Sequence, residues 1–162
     1  MIEQVFAGDS AISEIRAMLL QAEAARDDVA VWFDVVVADN AQGRRPIFVT
    51  RYGKRVTGYM ILKPKDHKIS SIFVEVGQRG KGIAEAMYGV AVVNLCTPQP
   101  YTAFVPEMVG EFSRLIRSHN LVLDDTGPLF VLNPGDGHAE TWAEIPRSPA
   151  RAALPLRSAL RR

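Results

Sequence analysis

The chain has 162 residues, 48% hydrophobic and 23% charged, a composition that fits one ordinary globular domain. Its 19 basic and 18 acidic residues leave a formal charge of +1, which excludes recruitment of nucleic acid or a membrane by a field over the whole surface. A single cysteine, Cys96, excludes an intrachain disulfide and a cysteine-based zinc cluster, and no apolar run reaches the ~18 residues that cross a bilayer.

The N-terminal Met-Ile-Glu-Gln-Val-Phe has no basic stretch ahead of an apolar one, so no signal peptide and a cytoplasmic location are expected. Asp9 or Ser10 is placed to cap a first helix whose face carries Ile12, Ile15, Leu19 and Ala22. Val29 to Ala38 reads two ways. Val29, Trp32, Phe33, Val36 and Val37 suit a helix face, whereas the crowding of β-branched valines, Val31 and Val35 included, suits a strand. Ile47 to Tyr52 and Arg55 to Leu62 read as strands, with Gly53-Lys54 as a tight hairpin turn. After the breakers Pro64 and Asp66, Ile69 to Val76 reads as a third strand with Ile72, Val74 and Val76 on one face, completing an antiparallel meander.

Beyond Gly82 the period becomes helical, with Ile83, Met87, Val90, Ala91 and Leu95 on one stripe. Tyr101 to Val105 is again strand-like. Met108, Phe112, Leu115 and Ile116 form a second helical stripe ending at Asn120, a residue that tolerates a left-handed C-terminal cap. Leu121 to Leu123 and Leu129 to Leu132 flank a turn and close the series as a hairpin. The order predicts an α/β or α+β domain over residues 1–137, a sheet with helices on its faces. Residues 138–162 form an arginine-rich tail: from Pro146 onward it holds five arginines, three prolines and no acid. Such a tail docks on its own domain, on a second copy in a homodimer or larger assembly, or on an acidic partner such as nucleic acid.

The stretch Phe73-Val74-Glu75-Val76-Gly77-Gln78-Arg79-Gly80-Lys81-Gly82-Ile83-Ala84 carries the chemistry. A strand runs through a glycine-rich loop into a helix, and the first turn of a helix offers unpaired N–H groups at the positive end of its dipole. Glycines let the backbone approach an oxyanion, and Arg79 and Lys81 add charge, so a phosphate or diphosphate fits. The same pattern also describes a tight turn with glycine corners. Two phosphate loops are excluded: Lys81 is followed by Gly82 rather than Ser or Thr, and Gly80-Lys81-Gly82-Ile83-Ala84-Glu85 lacks a third glycine.

Arg79-Gly80-Lys81-Gly82-Ile83-Ala84 resembles the Gln/Arg-x-x-Gly-x-Gly/Ala motif of the Gcn5-related N-acetyltransferase (GNAT) superfamily. Val74-x-Val76 resembles the preceding strand, although Val76 stands where proline is usual. Gly53 and Gly58 sit as in the family's second hairpin, and the later elements follow its order, so the likeness covers roughly residues 5 to 133. It implies a mixed central sheet of about six to seven strands, an antiparallel meander plus a splayed parallel pair, with helices on both faces. It also implies an acyl-coenzyme A co-substrate, acetyl-coenzyme A or another, and transfer to the amine of a small molecule or protein. Carried over by position, pantetheine pairs with the backbone at Val74, Glu75 and Val76. The diphosphate then sits on Arg79, Gly80, Lys81, Gly82, Ile83 and Ala84.

Two positions depart from the family. Its coenzyme-contacting Asn falls on Val109 and its general-acid Tyr on Ile116, neither of which transfers a proton. The glutamate that some members use as base falls near Lys68. Substitutes in sequence are Glu107, a base after the second strand of the pair; His119, the best-placed histidine for proton transfer; and Ser113, a hydrogen-bond donor to the thiolate. Each has a structural alternative: helix-dipole acid, helix-end cap and helix-surface serine. Glu75 on the motif strand is read as solvated, Tyr88 and Tyr101 as packing residues, and Cys96 as a buried hydrophobe. His138 and Glu140 supply only two ligands, so no metal is expected. The functional alternatives are a protein of this fold that binds without catalysis, or an acyltransferase acting on charged transfer RNA.

Overall fold

The computed structural model describes residues 1–23, 27–127 and 129–134. The tail 138–162, His138 and Glu140 lie outside the described residues, as does any docking role assigned to them. The elements run β1 (Ile2–Val5), α1 (Ser10–Ala22), α2 (Val29–Ala41), β2 (Ile47–Tyr52), β3 (Arg55–Lys63), β4 (Lys68–Val74), α3 (Ile83–Asn94), β5 (Thr102–Phe104), α4 (Val109–Ser118), β6 (Leu123–Asp124) and β7 (Phe130–Leu132). Asp9 caps α1, its side chain accepting from the Ala11 N–H at 2.8 Å. Val29 to Ala38 is helical: Val29, Phe33, Val36 and Asn40 recur at helical spacing and are buried, so packing overrides the strand preference of the valines.

The predicted meander is present and gains an N-terminal strand, giving the antiparallel order β1-β2-β3-β4. Successive residues of β2 and β3 are buried on both faces. Ile47, Val49, Tyr59 and Ile61 pack with Ala11, Ile15, Leu19, Phe33 and Val36 beneath α1 and α2. Phe48, Met60 and Leu62 pack with Met87, Ala91, Phe112 and Leu115 beneath α3 and α4. A bulge leaves Ser70 unpaired, so Ile69 and Ile72, three apart, share the α3 side.

The strands do not form one continuous ladder. β5, β6 and β7 make a second sheet in the order β5-β7-β6. The two sheets meet at a parallel bridge between Lys68 and Tyr101, where the Ile69 N–H donates to Tyr101 O at 2.9 Å and the Tyr101 N–H to His67 O at 3.2 Å. Past that bridge no ladder joins β4 to β5 among the described residues. Phe104 anchors α4 to β5 through Phe112, with ring centroids 4.8 Å apart. Asn120, at φ 49°, ends the last helical turn as its residue type predicts. No helix among the described residues is long and apolar enough to cross a membrane.

Candidate functional site

β4 ends at Val74, two residues earlier than the sequence pattern suggests. Val76 sits instead in a short 3-10 turn, Val76–Gln78, with 72% of its surface exposed. The chain then rises through Arg79 and Gly80 to Gly82, the N-cap of α3. Gly80 and Gly82 have φ of 75° and 78°, values that disfavour any residue with a Cβ. No side chain caps this helix. The first bond out of the loop is Ala86 N–H to Gly82 O at 3.0 Å, so the N–H groups of Gly80 through Glu85 have no acceptor among the described residues. Six unpaired amides therefore lie in succession at the positive end of a 12-residue helix.

The adjacent strand edge is also open. The Glu75 N–H donates to Thr57 O at 2.8 Å, which sets the phase of the β3–β4 ladder. Phe73 and Glu75 address β3, while Ile72 and Val74 turn their N–H and C=O groups the other way. On that side Val74 O accepts from Arg79 Nε at 2.8 Å. The N–H groups of Ile72 and Val74, and Ile72 O, have no partner among the described residues. Between this edge, the loop, the start of α3 and the face of α4 lies a cleft of about 290 Å³. Its walls include Ile72, Val74, Met108, Phe112 and Leu115, and its mouth carries Arg79, Glu85, Glu111 and Arg114.

The expected loop residues divide on this geometry. Val74, Arg79, Gly80, Gly82, Ile83 and Ala84 line the cleft. Glu75, Val76 and Lys81 do not. The Glu75 N–H and C=O are taken by Thr57 O and the Gln78 N–H, its carboxylate pairs with Arg55 at 2.6 and 2.7 Å, and Val76 O accepts from the Arg79 N–H at 3.2 Å. Backbone pairing expected at Val74, Glu75 and Val76 is therefore open at Ile72 and Val74 instead. The Lys81 side chain folds back on Gly77 O at 3.1 Å and Gln78 Oε1 at 2.9 Å.

None of the three substitute catalytic residues lines the cleft. Glu107 is exposed in the 3-10 turn before α4. Ser113 Oγ donates back to Gly110 O at 2.7 Å. His119 caps the far end of α4, its ring 5.5 Å from that of Tyr88. Val109 and Ile116 pack against the core, as apolar residues in those places must. Tyr88 and Tyr101 are buried packing residues as read, and burial pushes the Tyr88 phenol upward, partly offset by its hydrogen bond with Asn133. Cys96 is a correction: it is exposed, at φ 51°, because Leu95 fills the last buried place on α3 and the chain turns away behind it. No group of metal ligands occurs among the described residues.

Sequence reasoning missed Glu111 and Arg114. Glu111 holds the Arg79 guanidinium, and Arg114 lies 3.3 Å from Glu85. Only the fold joins residues so far apart in the chain.

The chain shares its fold with solved acetyltransferase structures, two of them described as of the GNAT family. A GNAT-family protein from Desulfovibrio desulfuricans superposes with a TM-score of 0.61 at 9% identity, covering 82% of this chain and 94% of its own. A GNAT-family acetyltransferase from Elizabethkingia anophelis with acetyl-CoA bound gives 0.55 at 14% identity, over 82% and 95%. An aminoglycoside 6'-N-acetyltransferase complexed with coenzyme A gives 0.57 at 9% identity, over 82% and 93%. No protein-family model and no curated protein matches the sequence.

Proposed function

We propose that this chain binds acyl-coenzyme A, acetyl-coenzyme A foremost, and transfers the acyl group directly to an amine. The observation that carries the reading is the run of unpaired amides from Gly80 to Glu85 at the head of a cleft floored by the open edge of β4. A diphosphate is the ligand group that uses several converging N–H donors, a helix N-terminus and an arginine together. The pantetheine arm then lies along Ile72 and Val74, its amides matched to the free N–H and C=O groups there, against Phe112 and Leu115. The thioester points into the gap where β4 and β5 part beyond the Lys68–Tyr101 bridge. Ligand-bound structures of the same fold support the coenzyme, and an aminoglycoside acetyltransferase among them supports an amine acceptor.

In the transfer the neutral amine attacks the thioester carbonyl carbon. The new C–N bond forms, the C–S bond breaks, sulfur leaves as thiolate and gains a proton, and the nitrogen loses one. Glu85 and Glu111, the acids lining the cleft, are held in ion pairs, so the proton leaves through water.

A second reading, coenzyme binding without turnover, draws on one observation. Ile116 and Val109 are apolar side chains packed against the core, and Glu107, Ser113 and His119 stand off the cleft. Two assays separate the readings. Calorimetry with acetyl-coenzyme A is expected to show binding that an Arg79→Glu plus Gly82→Asp variant abolishes. Thiol release is then followed over a panel of amines. Release that depends on one amine supports transfer, binding with no release for any amine supports the second reading, and no binding overturns both.

A further inference from the structure

The cleft mouth is electrically balanced, with Arg79 and Arg114 facing Glu85 and Glu111. Arg79 makes three contacts there. Its Nε donates to Val74 O at 2.8 Å, its guanidinium pairs with the Glu111 carboxylate on α4, and it lies 5.8 Å from the centre of the Phe73 ring. The first two engage groups that a coenzyme needs: the strand-edge carbonyl and the guanidinium itself. Arg79 is half-buried and Glu111 exposed, with side chains 31% and 36% open to water, so solvent weakens the pair and leaves it exchangeable. Glu111 stands in the first turn of α4, where the helix dipole favours its charge.

We infer that Glu111 is a latch on Arg79: it pairs with the guanidinium across the cleft, and a ligand enters by exchanging a phosphate for the Glu111 carboxylate. This rests on the coenzyme reading and extends it. A ligand with a diphosphate supplies the replacement anion. A ligand with the same arm but no phosphate does not, and finds Val74 O still occupied. Affinity for the coenzyme is therefore set by a difference between two ion pairs, and Glu111 lowers it by competing for Arg79.

The test is calorimetry of coenzyme A and of pantetheine, which lacks phosphate, on the full chain, Glu111→Gln, Glu111→Ala and Asp125→Asn. Asp125→Asn removes one negative charge from the exposed final turn, outside the cleft lining. Loss of the competing carboxylate is expected to tighten coenzyme A by about two- to fivefold in both Glu111 variants. Pantetheine affinity stays unchanged, and Asp125→Asn behaves as the parent. Glu111 variants that bind coenzyme A no tighter than the parent, or that tighten pantetheine equally, overturn the latch while leaving the coenzyme reading intact. Absence of coenzyme A binding in the parent and both variants overturns the coenzyme reading itself.

Discussion

Gly58 on β3 faces Thr50 on β2 and Val74 on β4, directly under α3. A Cβ there would lie 2.8 Å from Thr50 Oγ1, 2.9 Å from Phe73 O and 3.4 Å from Met87 Cε. The threonine and methionine can rotate, but Phe73 O is ladder backbone, and ordinary contact requires it to retreat by about 0.5 Å. Such overpacking costs about 1–3 kcal/mol, and the entropic gain of alanine over glycine returns about 0.5–1. Gly58→Ala is therefore expected to lose about 1–2 kcal/mol, read as a lower urea midpoint at unchanged slope by circular dichroism. Because β4 retreats at Phe73, the Val74 edge shifts and coenzyme affinity falls in the same variant. Gly89 supplies the contrast: it is exposed in α3 with nothing within 4 Å of an added Cβ. Gly89→Ala is expected to gain about 0.5–1 kcal/mol. A Gly58→Ala protein as stable as the parent would refute the argument that this glycine exists for close approach.

Two further outcomes follow from buried polar groups. Asn133 is 7% exposed and donates to Tyr88 OH at 3.2 Å and Pro100 O at 3.0 Å, while its Oδ1 accepts from the Val122 N–H at 3.1 Å. Asn133→Ala orphans these groups and is expected to cost about 2–4 kcal/mol in the same urea titration, and a loss below about 1 contradicts the role. Burial pushes the Tyr59 phenol well above its ordinary value near 10, with only a long Ser71 contact at 3.5 Å to offset it. A pKa raised in the folded state gives stability that is whole below the unfolded value and is lost as pH climbs toward the folded one. Tyr59→Phe is expected to flatten the fall in stability above about pH 10. An unchanged alkaline limb contradicts it.

The fold was legible where a segment's period matched its burial. Ile15 and Leu19 in α1, Met87 and Ala91 in α3, and Phe112 and Leu115 in α4 all face the core as their spacing implies. In α2 local and tertiary preferences conflict: its valines favour a strand, and the slab of Ile47, Val49 and Ile61 beneath it selects a helix. β1 was not legible. Four residues carry too little pattern, and pairing with β2 across more than 40 positions creates the strand. At the site, the glycines at 80 and 82 announced the loop because positive φ has few other solutions. The strand edge was misplaced by about two residues because its phase depends on the long-range Glu75–Thr57 bond. The Arg79–Glu111 pair left no local trace, since each residue has an adequate explanation on its own element.

In the proposed complex the amides of Gly80 to Glu85 receive the diphosphate of a coenzyme. Nitrogen-resolved NMR of the labelled chain during addition of coenzyme A tests it most directly. The amide resonances of Gly80, Gly82, Ile83 and Ala84 are expected to move together with one saturation curve, while those of Gly43 and Gly53 stay fixed. Coenzyme binding that leaves the 80–84 amides unmoved, or that shifts resonances only elsewhere, contradicts it.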